Sequence, residues 1–278
     1  MAFEEQYLSL VRHVLKSGEE REDRTGVGTR SVFGVALECD LEREAFPLLL
    51  TRPVSWKTAI KELLWMIRGE TNVRSLQEQG VRIWDQWAND EGNLGPVYGA
   101  QWREWYTCNR TIDQLSNVIA EIKTNPTSRR LIVNAWNVGQ IDEMALPPCH
   151  MMFQFYVRGG GRLDCQMYQR SSDLCVGMPF NMVGYATLTT MIARECSLFP
   201  GKVRIAIGDA HVYLNHTEKA WDMIKRFKKD TYWAFDNENL AHLEYTPPEG
   251  GFFNATIDNF NVRAYEPYGD PIQWEVAV

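Results

Sequence analysis

Apolar residues at 3, 7, 8, 11, 14 and 15 recur with the period of a helix, predicting one over Phe3–Lys16 that stops at Gly18. The glycine-bearing stretch EEREDRTGVGTR interrupts the pattern before a strand near Ser31–Leu37. Trp56–Arg68 sets Ile60, Leu63, Leu64 and Ile67 on one face and meets Gly69, so it reads as a second helix. Glu62 stands among these apolar residues, and the plain expectation is that it turns off the stripe into solvent. Residues 83–105, IWDQWANDEGNLGPVYGAQWREW, hold four tryptophans around a turn-forming centre, the pattern of an aromatic-walled loop.

Farther on, Thr111–Asn125 opens with the T-x-x-Q of a capping box and stops at Pro126. RRLIVNAW reads as a strand. MMFQFYVR and RLDCQMYQR flank Gly159–Gly161 as a hairpin with Leu163, Cys165 and Met167 on one face. PFNMVGYATLTTMIAREC is apolar nearly all round, as a buried helix is. VRIAI is a short strand, and Thr217 is placed to cap a helix through Ala220, Trp221 and Ile224. No repeat or Pro/Gly/Ser linker divides the chain, which predicts one domain over 1–278. Helices and strands mixed without a regular βαβ alternation predict an α+β fold.

Composition narrows the function classes. With 45% hydrophobic and 23% charged residues in 278, the chain has the makeup of a soluble globular protein. No apolar run approaches the roughly 18 residues of a membrane span, and the first residues lack the basic and contiguous apolar parts of a secretory signal. A cytoplasmic protein without a membrane partner is expected. The six cysteines form no C-x-x-C pair and no metal-ligand cluster, so neither a zinc site nor a disulfide framework is expected. A formal charge of -7 disfavours a general nucleic-acid binder. RNA is therefore not indicated, though a salt-dependent second activity of that kind stays open.

Chemistry concentrates around LPPCH. Cys149 follows two prolines at the mouth of a predicted strand, where it reads either as a small buried filler or as a nucleophile beside a cation. Arg24, Arg129 with Arg130, and Arg170 occupy loops or strand ends, positions that present guanidinium forks to an anion.

LPPCH, CQMYQRSSDLCVGMPFNMVGYA and GDAHVYLNH, in this order, resemble the thymidylate synthase family. The likeness extends through DRTGVGT, ELLW, IWDQWANDEGNLGPVYGAQWR, NPTSRRLIVNAWN and the terminal EVAV. It implies a large mixed sheet with helices on one face and a homodimer interface on the other. It also implies conversion of dUMP to dTMP, with 5,10-methylenetetrahydrofolate as carbon and hydride donor and no metal.

By this resemblance Cys149 is the thiolate that adds to uracil C6. Arg24, Arg170 and Ser171 meet the phosphate, together with Arg129 and Arg130 donated by the partner subunit. Asn181 reads the N3–O4 edge, and His211 with Tyr213 hold the 3'-hydroxyl. Glu62 organises proton movement, and Tyr98 and His150 belong to the same polar network. The folate side takes Arg52, Trp84, Trp87, Gly177 and Asp173, with Asp173 on the pterin, and the Val278 carboxylate closes the site. The chain departs from the family pattern at Arg52-Pro53, at Ser55, over KAWDMIKRFKKDTYWAFDNENL and in YEPYGDPIQW, changes that by the resemblance touch the folate side and tail more than the nucleotide side. A dUMP 5-hydroxymethylase using the same folate with water is the alternative. A silent nucleotide- or RNA-binding relative is a third, opposed by intact Cys149, Glu62 and Asn181.

Overall fold

The computed structural model describes residues 2–43, 46–227 and 241–276. The first stripe forms α1 (Phe3–Ser17), burying Tyr7, Val11 and Val14. There follow β1 (Glu19–Arg21), β2 (Thr29–Asp40), α2 (Trp56–Ile67), α3 (Arg74–Glu78) and α4 (Tyr98–Arg103). β3 (Trp105–Tyr106) and β4 (Thr111–Ile112) make a small ribbon before α5 (Gln114–Thr124). The second half holds β5 (Ile132–Asn134), β6 (His150–Arg158), β7 (Arg162–Asp173), α6 (Gly177–Glu195), β8 (Phe199–Tyr213) and α7 (Thr217–Arg226). A last ribbon pairs β9 (His242–Tyr245) with β10 (Phe260–Arg263).

Six strands make the main sheet in the order β1-β2-β8-β7-β6-β5. Neighbours are antiparallel except β7 and β8, which run parallel. A parallel pair cannot be joined by a tight turn, and α6 supplies the crossover. This explains its composition: α6 is packed between the sheet and α2, so little of its circumference meets water. Leu163, Cys165 and Met167 of β7 join Phe153 and Phe155 of β6 and Val203, Ile205 and Ile207 of β8 in the core. Because side chains alternate, a slip of one residue would turn this set to the other face, so burial fixes the register. The opposite face carries exposed Ile132, Tyr156 and Tyr168. The expected α+β class with a mixed sheet is what forms.

Local expectations fail where side chains find better partners. Thr111 does not cap α5: it sits in β4, and Asp113 accepts the Ser116 N–H at 2.9 Å instead. Gln114, the other half of the expected box, bridges the carbonyls of Gln101 and Asn134, each at 2.7 Å. Thr217 is the first helical residue of α7, one position inside the cap, which is His216. The 83–105 stretch is not all loop, because α4 lies within it and buries Trp102 edge-on against Phe153 at 5.1 Å. The strand expected over RRLIVNAW contracts to β5. VRIAI and Ser31–Leu37 are the centres of the longer β8 and β2.

Candidate active site

Sheet topology gathers the reactive residues at one end. Since β7 and β8 are parallel, their C-terminal ends lie side by side, with Ser171 opposite Asp209 and Asp173 opposite His211. β6 runs the other way, so its first residues meet the end of β7: His150 pairs with Gln169, and Arg170 donates its N–H to the Cys149 carbonyl at 2.9 Å. The short link from β7 to α6 sets the first helical turn over the same spot. A cavity of about 430 Å³ opens there. The strands contribute His150, Arg170, Ser171, Asp173, His211 and Tyr213 to its wall, with Cys149 just before β6. The helices add Glu62, Tyr98, Gly177 and Asn181, and the loops add Arg24, Trp84 and Trp87.

The two prolines before Cys149 have a specific use. Having no N–H, they cannot extend the ladder, and their carbonyls accept from Arg170 instead: Nε reaches Pro148 at 3.0 Å and Nη2 reaches Pro147 at 2.8 Å. The guanidinium also lies over the Trp136 ring, 5.5 Å from its centroid. Two of the five N–H groups in the fork are thus used to hold the cysteine loop, and three remain for a ligand. Gly208 makes the approach possible, because a Cβ there would stand 2.7 Å from the Arg170 carbonyl.

Cys149 is half-buried, and its N–H donates to Tyr98 Oη at 2.8 Å. Burial pushes the thiol above its usual range, while Arg170, then Arg24, and the Tyr98 hydroxyl pull it back. Desolvation outweighs the nearby cations. The resting group is the thiol, with a phenol and two guanidiniums arranged to stabilise the thiolate when it forms.

Across the cavity, Glu62 reverses its solvent expectation. It points inward and accepts from Trp84 Nε1 at 2.8 Å. Burial raises its pKa to about 7, opposed by the indole bond, so it can take or give a proton at neutral pH. Trp84 is itself wedged edge-on against Trp87 at 5.5 Å and Tyr98 at 6.0 Å. The tryptophan loop is pinned to the approach of the cysteine loop, where Ala145 N–H donates to Leu94 O at 2.9 Å. Burial brings His150 down to about 4, so it is a neutral imidazole near pH 7. It packs between Tyr98 and Tyr185 with centroids at 5.2 and 5.4 Å.

Asn181, on the first turns of α6, has its amide oriented by a residue that sequence reasoning missed. Gln169 Nε2 donates to Asn181 Oδ1 at 2.9 Å, and Gln169 is buried at the cavity wall. The signal was present in CQMYQRSSD: Gln169 continues the inward alternation of Leu163, Cys165 and Met167, putting a polar residue on a buried face. Phe180, Val176 and Val276 also line the cavity and were not anticipated. His211 Nδ1 lies 2.8 Å from Asp209, which orients the ring. Arg24 projects from a turn in which Asp23 accepts from Thr25 N at 2.7 Å.

One expected group lies outside the cavity wall. Arg52 is buried behind the cavity, with its guanidinium 5.9 Å from the Phe180 ring and 5.8 Å from that of Trp274. Its Nε and Nη1 have no hydrogen-bond partner among the described residues. Arg129 and Arg130 are exposed beside β5 and do not line the cavity of their own chain. Val278 lies outside the described residues, as do residues 228–240 of the divergent segment. Among the described residues no helix is long and apolar enough to cross a membrane.

The cavity thus joins a thiol, a carboxyl near neutrality, an oriented amide and convergent cations within aromatic walls. The family model described as thymidylate synthase matches residues 5–278. The chain belongs to the thymidylate synthase family, whose chemistry is folate-dependent one-carbon transfer to C5 of a pyrimidine nucleotide.

Proposed function

We propose that the protein is a thymidylate synthase in the strict sense, converting dUMP to dTMP. The observation that carries this reading is the placement of Cys149, Glu62 and Asn181 around one cavity, with the Asn181 amide held by Gln169. Cys149 forms the sulfur–C6 bond, and the C5=C6 electron pair moves toward O4, leaving C5 nucleophilic. The thiol proton leaves through the polar wall, where Tyr98 contacts the cysteine. Glu62, near neutrality, exchanges protons at the O4 side. 5,10-Methylenetetrahydrofolate would supply the carbon and the reducing hydride. Trp84, Trp87 and Phe180 offer aromatic surface to it, and Asp173 and Gly177 border the same side.

Base choice follows from the amide. Gln169 takes one lone pair of Asn181 Oδ1, leaving the other for uracil N3–H while Nδ2–H donates to O4. Cytosine reverses both demands, and the Gln169 bond resists the flip that would serve it. Arg24, the remaining N–H groups of Arg170, and Ser171 suit a phosphate, and His211 with Tyr213 suit the sugar hydroxyl. Exposed Arg129 and Arg130, beside a sheet face bearing Ile132, Tyr156 and Tyr168, support a homodimer in which each subunit lends arginines to the other.

Product masses test the reading. Incubation with dUMP and methylenetetrahydrofolate is expected to yield dTMP with dihydrofolate. 5-Hydroxymethyl-dUMP with tetrahydrofolate would replace methylation by hydroxymethylation. Asn181→Asp is expected to move preference toward dCMP, and an unchanged ratio would remove the role given to the amide.

A further inference from the structure

Behind the cavity wall a second set of side chains converges. A carboxylate oxygen of Asp173, the sulfur of Cys175 and a ring nitrogen of His216 all lie within 4.8 Å of one another. Cys175 and His216 are fully buried, while Asp173 borders the cavity. His216 Nε2 is 2.8 Å from the Glu275 carbonyl, which can only accept, so Nε2 carries the ring proton. Nδ1 is left as a lone pair, buried and without a hydrogen-bond partner among the described residues. Such an atom calls for a donor or a cation. Asp173 Oδ1 already accepts from Cys175 N at 2.8 Å and Val176 N at 3.2 Å, so Oδ2 is the oxygen left to coordinate.

We propose that Asp173, Cys175 and His216 form a binding site for a borderline-soft divalent cation of the zinc type, with three protein ligands and a fourth position for water. The donor set decides the class. Magnesium and calcium take oxygen ligands, whereas one sulfur, one imidazole and one carboxylate suit zinc. On binding, the Cys175 S–H bond breaks, its proton passes to solvent and the sulfur–metal bond forms; the imidazole and carboxylate coordinate as they stand. Ligand atoms around a tetrahedral ion lie roughly 3–4 Å apart, so side-chain rotations on the order of 1 Å would close the set.

The site joins two parts of the molecule. Asp173 is on the cavity wall, and Glu275, which sets the His216 tautomer, is in the C-terminal segment beside Trp274. An ion would withdraw Asp173 from the cavity and fasten His216. On the proposed function Asp173 belongs to the folate side, so the occupied site would hinder folate and leave dUMP binding intact.

Cobalt(II) titration of the full-length, metal-free protein tests the site without using activity. The expected result is a thiolate-to-cobalt charge-transfer band that zinc abolishes, with one proton released per ion. The band should persist in Cys149→Ser. It should vanish in Cys175→Val and in His216→Gln, with affinity falling by more than the ~10–100-fold typical of losing an outer-shell partner. Cys175→Val keeps a small apolar group in a buried place, so it carries the test if the histidine variant does not fold. Absence of a band in the wild type, or a band that needs Cys149 and not Cys175, overturns the proposal. A Cys175-dependent band with unaltered folate affinity would instead overturn the folate reading and leave the metal site standing.

Discussion

The cavity has two walls built in different ways. One is the end of the central strands, where Cys149, Arg170, Ser171, Asp173, His211 and Tyr213 are set by ladder pairing and by Arg170's bonds to the two proline carbonyls. The other is Trp84, Trp87 and Glu62, set by ring contacts and one indole hydrogen bond. On the first wall a side chain can be removed while the backbone stays put. On the second, side chains hold one another, so a change at one residue alters the protonation of its neighbour.

The largest effect expected on the strand wall is that of Cys149→Ser. Turnover should fall by at least about 10⁴-fold, as when a nucleophile is removed from a concerted set. The fold should persist, because the loop is held through Cys149's backbone and Arg170. Steady-state rates with far-UV circular dichroism check both halves, and substantial product from this variant would sink the assignment.

On the other wall, Glu62→Gln should move activity and stability in opposite directions. Loss of a general acid–base group lowers kcat by roughly 10²-fold or more. The Glu62 pKa rises from 4.5 to about 7 in the folded state, so between these values the unfolded chain ionises first and stability falls as pH rises. The His150 pKa falls from 6.5 to about 4, so its contribution is lost as pH drops through that window. The two nearly cancel in the wild type. Glu62→Gln removes one of them, and should be more stable above pH 7 by roughly 1–3 kcal/mol, with the difference gone below pH 4.5. Denaturant titrations at pH 4.5 and pH 8 measure it, and equal stability at pH 8 would show that the carboxyl is not desolvated.

Gly208→Ala probes the strand wall through its backbone. The added methyl would meet the Arg170 carbonyl at 2.7 Å, and overpacking of this kind costs about 1–3 kcal/mol. Because the contact is at Arg170, thiol reactivity at Cys149 should slow with it. Thermal unfolding and alkylation rates test the link, and lost stability with unchanged alkylation would uncouple the strand from the thiol.

The same contrast explains what the sequence could tell. Strand alternation in RLDCQMYQR and the all-round apolarity of α6 follow from backbone geometry, so both elements were legible. Cys149 and Arg170 were readable as neighbours once the hairpin was inferred, because antiparallel pairing sets them together. Glu62 was not readable from periodicity, since its inward direction depends on Trp84 more than 20 residues away in the chain. α4 was hidden for a similar reason: turn residues dominate its surroundings, and burial of Trp102 against Phe153 overrides them. The Thr111 box failed because Asp113, braced by Arg103 at 3.0 Å, is a stronger cap, and Gln114 was taken by carbonyls of other elements. Arg52, an expected folate contact on resemblance, sits beneath Phe180 and not in the wall, a placement that only packing reveals.

The smallest effect expected is the most diagnostic of the loop wall. Trp84→Phe keeps an aromatic ring and removes the indole N–H, the one hydrogen bond that lowers the Glu62 pKa against burial. A bond to a charged group is worth about 1.5–3 kcal/mol, and some of that returns from solvent at the cavity mouth, so the pKa should rise by about one unit. The limb of the kcat profile that reports Glu62 should move from near pH 7 toward pH 8. The pH at which its destabilisation becomes complete should move with it, because stability is lost only while the unfolded carboxyl is ionised and the folded one is not. A strand-wall change such as Gly208→Ala should leave that limb where it is, since Gly208 contacts Arg170 and has no bond to Glu62. If Trp84→Phe leaves the limb fixed, burial alone sets the carboxyl, and the two walls do not differ in the way their construction implies.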